Sequence, residues 1–171
     1  NMFKGNPMKK LLILICFFTL GISFLNAAAF AQSLAVVDTN KIFEQSKHGQ
    51  SINSYFEKLQ SEGIKQLEQL EDKRKKADEQ KDEKLIQNLE SEIQATAYEL
   101  QNKIQNQQTV LFTVISDKLM NVIDTYRKDN NIDVILHATE TASYNPDIDV
   151  TEKIIQEFNK IEFDIQKELK Q

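Results

Sequence analysis

Leu89–Tyr126 reads LESEIQATAYELQNKIQNQQTVLFTVISDKLMNVIDTY, and its spacing decides the fold. Leu89, Ile93, Ala97, Leu100, Ile104, Gln108, Leu111, Ile115, Leu119, Val122 and Tyr126 form one stripe. Its steps are 4, 4, 3, repeated three times with a final 4. Such steps place side chains on one face of an α-helix. The period is eleven residues, about 3.67 per turn, rather than the seven of a left-handed coiled coil. A stripe of this kind runs nearly straight along its helix or drifts into a slight right-handed supercoil.

Outward from this stretch, no proline falls between Ser51 and Lys128, and the one glycine is Gly63. A single helix of that length would reach about 115 Å at 1.5 Å per residue, so a hairpin of two shorter helices is expected. The first half carries its own stripe, Ile52, Phe56, Leu59, Gly63, Leu67 and Leu70, which fades through Arg74. Between the stripes lies Glu71–Lys84, EDKRKKADEQKDEK, with Ala77 as its one apolar residue. The distal turn is predicted within residues 77–82, and residues 51–130 as an antiparallel helical arm.

Residues 32–50 and 131–160 flank the arm and are read as a small body. Leu34-Ala35-Val36-Val37 is a buried strand, followed by the capping side chains of Asp38-Thr39-Asn40. Gly49 predicts a break at residues 47–50. Ile132–Leu136 is a second strand, and Ala142–Asn145 a third that ends at Pro146. Asp149 or Thr151 caps a closing helix whose apolar face is Ile154, Ile155, Phe158, Ile161, Phe163 and Ile165. Residues 161–171 are expected to continue as a C-terminal helical extension. Strands this few and short do not make a stable sheet alone, and their edges need cover. A homo-oligomer whose subunits complete one another's sheet meets that need, with Val36, Val37, Val134, Ile135, Leu136 and Tyr144 as the shared body.

Residues 1–31 read as a secretory signal peptide. Met8-Lys9-Lys10 is followed by an uncharged apolar run from Leu11 to about Leu25, then by Ala29-Phe30-Ala31. The run of about 15 residues is short of the ~20 that span a bilayer. Met2 and Met8 are both candidate starts, and cleavage is expected after Ala31. Cys16, the one cysteine, sits behind Ile13-Leu14-Ile15 and lacks the small residues of a lipidation site. The mature chain then has no thiol, which excludes disulfides, thiolate metal sites and a cysteine nucleophile. Cleavage removes Lys4, Lys9 and Lys10 and no acid, so 18 bases face 26 acids and the net charge becomes −8. Such a chain has no global field for nucleic acid, and no nucleic-acid partner is expected.

No catalytic constellation, metal site or cofactor site is apparent. His48 and His137 are the only histidines, and neither Gly49 nor Gly63 lies between a strand and a helix start. Pairs such as Asp117 with Asn121 or Glu99 with Lys103 have the spacing of a solvated helix surface. Lys73-Arg74-Lys75-Lys76 is the one sharp charge cluster. It is a candidate for peripheral contact with anionic membrane lipids or with acidic segments of a bound polypeptide. The simpler reading, a solvated tip neutralised by Glu71, Asp72, Asp78 and Glu79 within a Debye length, is preferred. Tyr55, Phe56, Val110, Phe112 and Val114 crowd the arm's base with more apolar surface than one seam needs. Most of it should pack on the body; Phe112 is the candidate for an apolar ligand.

The succession of segments resembles the Skp/OmpH family of periplasmic outer-membrane-protein chaperones. The likeness is carried by Leu34-Ala35-Val36-Val37-Asp38 with Ile42-Phe43, by Ile132-Asp133-Val134-Ile135-Leu136-His137-Ala138, and by Tyr144-Asn145 and Asp149-Val150-Thr151. It implies a mainly α fold with a small β body completed by trimerisation, a jellyfish-shaped homotrimer with three arms. It further implies an ATP-independent holdase, without enzymatic activity, that keeps unfolded outer-membrane proteins from aggregating in the periplasm. The alternative is an envelope structural or adaptor protein whose hairpin docks one specific partner. Two departures stand out: well-known members are basic whereas this mature chain is acidic, and residues 161–171 run past the usual end.

Overall fold

The structure, a computed structural model, describes residues 33–170; the signal-peptide reading, the Ala31 cleavage site and Cys16 lie outside them. In chain order the elements are β1 (Leu34–Val37), α1 (Thr39–Gln45), α2 (Lys47–Glu79), α3 (Glu83–Asp129), β2 (Val134–His137), α4 (Thr151–Phe158) and α5 (Ile165–Glu168). Two 3₁₀ turns, Ala138–Glu140 and Pro146–Ile148, lie between β2 and α4. The long hairpin is therefore α2 and α3, of 33 and 47 residues.

The two strands are parallel, with Leu34 opposite Val134 and Val37 opposite His137. Parallel neighbours need a crossover, and here the whole arm serves as that connection. Ala142–Asn145 does not form the expected third strand. Asn145 instead accepts a hydrogen bond from the Asp147 amide and opens the Pro146 turn. The second edge of β1 is met further along, by a single bridge of Val36 to Asp149 and a 2.9 Å bond from the Val150 amide to the Val36 carbonyl.

Local chemistry sets each boundary. Asp38 caps α1 by accepting from the Lys41 amide at 3.0 Å, and its own amide donates to Thr151 Oγ1 at 2.9 Å, joining α1 to α4. The break between α1 and α2 falls at Ser46, just ahead of the predicted 47–50. Ser46 has extended backbone, and its hydroxyl accepts from the Gly49 amide. Gly49 is needed for closeness: a Cβ there would lie 1.7 Å from the Phe43 carbonyl oxygen.

The distal turn occupies residues 80–82. Lys81 takes a left-handed conformation, φ 57°, while the amides of Lys81 and Asp82 bond back to the carbonyls of Asp78 and Ala77. This is the Schellman closure of a helix end, with lysine where glycine is usual. Asp82 then caps α3 through the Leu85 amide.

Among the described residues, two apolar clusters form. The larger joins β1, the arm's base and α4 through residues that include Val37, Ile42, Ile52, Leu111, Ile115, Ile154 and Phe158. The smaller, Leu70, Ala77 and Leu89 with Ile86 and Ile93, closes the tip. The α2 stripe thus continues past its apparent fade: Arg74 is half-buried and Ala77 fully buried.

The closing helix ends at Phe158 rather than running through Ile165, and among the described residues of the expected extension, 161–170, only Ile165–Glu168 is helical. The segment folds back instead. Ile161, Phe163, Ile165 and Leu169 pack on the main core, and Lys118 of α3 pairs with Glu168 at 3.4 Å.

Candidate functional site

The arm's seam and its open face use different residues of α3. The sequence stripe takes in Ala97 and Gln108, but both are exposed; Thr96 and Gln107 are the half-buried ones. Gln107 lies inward because its side-chain oxygen accepts from Tyr55 Oη of α2 at 2.9 Å. The seam is consequently 89, 93, 96, 100, 104, 107 and 111, still repeating every eleven residues.

Beside this seam runs a second stripe on α3: Ala97, Gln101, Gln105, Gln108, Phe112, Ser116 and Leu119, stepping 4, 4, 3, 4, 4, 3. It borders two grooves. The upper, about 750 Å³, has Leu67, Leu100 and Ile104 among its lining, with Gln60 and Ile64 from α2 and Ala97, Gln101, Gln105 and Gln108 from α3. The lower, about 430 Å³, lies at the arm's base between α1 and α3 and is lined by Thr39, Asn40, Phe43, Glu44, Phe112, Ile115, Ser116, Leu119 and Phe158. Phe43 and Phe112 stand there with ring centroids 5.2 Å apart, tilted by 39°. Phe112 remains 42 % exposed and Ile64 55 %. These rings and aliphatic floors can take up apolar side chains of a second molecule, while the amides supply hydrogen bonds.

The expected charge cluster is divided. Lys73, Lys75 and Lys76 are exposed at the tip, but Arg74 turns to Glu71, Nη2 to Oε1 at 2.7 Å, and toward Glu90 of α3 at 3.9 Å. The Arg74 guanidinium holds the Glu71 carboxyl below its ordinary range. Lys75 lies 3.8 Å from Asp72. The tip therefore presents lysines interleaved with acids.

Of the residues read as a shared body, Val36 and Val37 are buried within the chain's own core. Val134 and Ile135 are half-buried, and Leu136 is 39 % exposed. Tyr144 is half-buried, with its hydroxyl 3.3 Å from Asp149. Of these six, Leu136 of β2 is the most exposed. Phe43, Ile64 and the three glutamines were missed in the sequence. Only the eleven-residue spacing, read one residue over, could have grouped the glutamines with Phe112.

His48 lies beneath the returning tail. Its Nε2 is 2.9 Å from the Phe158 carbonyl, and its ring meets Phe158 and Phe163 edge-on. A carbonyl only accepts, so Nε2 carries the proton of a neutral ring. Burial, against the pull of that hydrogen bond, lowers the histidine's pKa, and Lys47 and Lys118 add to the effect. Among the described residues no group of three or more His, Cys, Asp or Glu could hold a metal ion. No described helix is long and apolar enough to cross a membrane.

Residues 33–158 match the family described as outer membrane protein (OmpH-like). An uncharacterised protein of Aquifex aeolicus (strain VF5) is 24 % identical over 151 residues, covering 77 % of this chain and 89 % of its own. The crystal structure of a protein from Caulobacter crescentus CB15, named as an OmpH-like outer membrane chaperone, superposes with a TM-score of 0.54. The two share 16 % identity over 77 % of this chain and 89 % of that one, which is likeness of fold. The family match spans strand, long hairpin, second strand and closing helix, and the chain belongs to the OmpH-like family.

Proposed function

We propose that this chain is an ATP-independent periplasmic holdase that keeps unfolded outer-membrane proteins from aggregating. The observation that carries the reading is the Phe43–Phe112 pair, an aromatic site left half-open at the base of a long arm. An aromatic pair committed to the core would be covered, and single exposed residues would not stack across two elements. Family membership supports a chaperone role, as does the name carried by the Caulobacter structure.

In this reading three copies join through their bodies, with the exposed edge of β2 as the meeting place. Their arms surround a space into which the grooves open. Holding is by many weak contacts, so avidity stands in for specificity and no nucleotide is needed to release. The chain works after removal of its signal peptide, without cofactor or catalytic group.

The test is light scattering on dilution of a urea-unfolded outer-membrane β-barrel into ATP-free buffer. Near-stoichiometric trimer should suppress the scattering. Unchanged scattering at excess chain would sink the proposal.

A further inference from the structure

The two grooves share an unusual property. In a chain with 27 % charged residues, the α3 stripe from Ala97 to Leu119 carries no charge over about 33 Å at 1.5 Å per residue. Every residue lining the upper groove is likewise neutral, and Glu44 is the single charged residue lining the lower. Charged side chains lie nearby on α3, at Glu99, Lys103 and Asp117, but off this face.

We infer that an unfolded polypeptide is held on this face by side-chain amides that pair with its backbone, with Phe43, Phe112 and Ile64 receiving its apolar side chains, and that charge takes no part. The inference rests on the chaperone reading and specifies how its site works. A carboxamide offers both donor and acceptor, so Gln101, Gln105 and Gln108 can meet either a backbone N–H or a C=O. Along the helix axis they are spaced about 6 and 4.5 Å, against about 3.3 Å per residue of an extended strand. Adjacent glutamines therefore address backbone groups one or two residues apart, whatever the bound sequence. A neutral face also takes up segments of either sign without leaving a buried charge unpaired.

The face suits an unfolded chain better than a second copy. A permanent interface between copies is dominated by apolar area. Here the large exposed apolar side chains lining the grooves are Ile64 and Phe112; the other exposed lining residues are glutamine, asparagine, serine and alanine, with Glu44.

The experiment measures binding of a fluorescently labelled, urea-unfolded outer-membrane barrel to the mature chain across a salt series. It compares wild type with Gln105→Glu/Gln108→Glu on the face, and with Asn106→Glu/Thr113→Glu, exposed and off it. Both pairs add the same charge and keep good helix formers or surface positions, and circular dichroism and sedimentation check helicity and mass. The face pair should weaken binding about tenfold and the control pair less than about twofold, with wild-type affinity nearly constant from 50 to 500 mM salt as screening shortens. A tenfold loss of wild-type affinity with salt, or equal losses in both pairs, would overturn the inference. So would loss of oligomer mass in the face pair, which would make this an interface between copies. Wild type that holds no barrel at any salt would instead overturn the chaperone reading, and this inference with it.

Discussion

Gly63 of α2 lies directly against Leu100 of α3: a Cβ on Gly63 would stand 2.2 Å from Leu100 Cδ2 and 3.0 Å from its Cγ. The pair sits midway along the arm, between the base cluster and the tip cluster. Close approach there lets both clusters form on the same two helices.

Gly63→Val should therefore destabilise by about 1–3 kcal/mol, the usual penalty for overpacking. Gly63→Ala should cost less, because alanine's better helix propensity, about 1 kcal/mol, offsets part of the clash. Urea unfolding of Gly63→Val, Leu100→Ala and the double variant makes the check. The double variant should be more stable than the sum of the single effects requires.

The tip gives a prediction of opposite sign. Lys81 holds a left-handed conformation at φ 57°, which costs a side-chain-bearing residue about 1 kcal/mol and glycine almost nothing. Lys81→Gly should stabilise the hairpin by about 0.5–1 kcal/mol, read as slower hydrogen exchange of the amides flanking the turn. A destabilised tip would refute the assignment of the closure.

Part of this was legible in the sequence and part was not, for identifiable reasons. Eleven-residue spacing revealed the arm, because helical periodicity survives many polar neighbours. It misassigned Ala97 and Gln108 because hydrophobicity cannot show that Gln107 is turned inward by Tyr55. The turn lacked a signal because Lys81 occupies a glycine position. Ala142–Asn145 has strand-like residues, but the second edge of β1 receives Asp149 and Val150 instead. Phe163 and Ile165 read as part of the closing helix because they extend its apolar series; that helix ends at Phe158, and both residues pack back onto the main core, Phe163 against His48.

Thr151 and Asp38 test the body. Thr151 Oγ1, 1 % exposed with its residue, accepts from the Asp38 amide. Thr151→Val keeps the shape but leaves that amide without its acceptor, and should cost about 1–3 kcal/mol in urea unfolding. Thr151→Ser should recover most of the loss.

His48 makes stability depend on pH. Burial depresses its pKa in the folded chain below the unfolded value near 6.5, so the unfolded chain binds the proton first as pH falls. Its contribution is fully present above about pH 6.5 and is lost as pH drops through the lowered folded pKa. Wild type should lose more thermal stability between pH 7.5 and 5.5 than His48→Gln does. Equal losses would show that His48 takes the proton without penalty.

The most direct test of the account is sedimentation of the mature chain in ATP-free buffer, alone and with a urea-unfolded outer-membrane barrel. The account predicts the mass of three chains alone and of three chains plus barrel in the mixture. A chain that sediments as a monomer, or a barrel that pellets without it, would contradict the account.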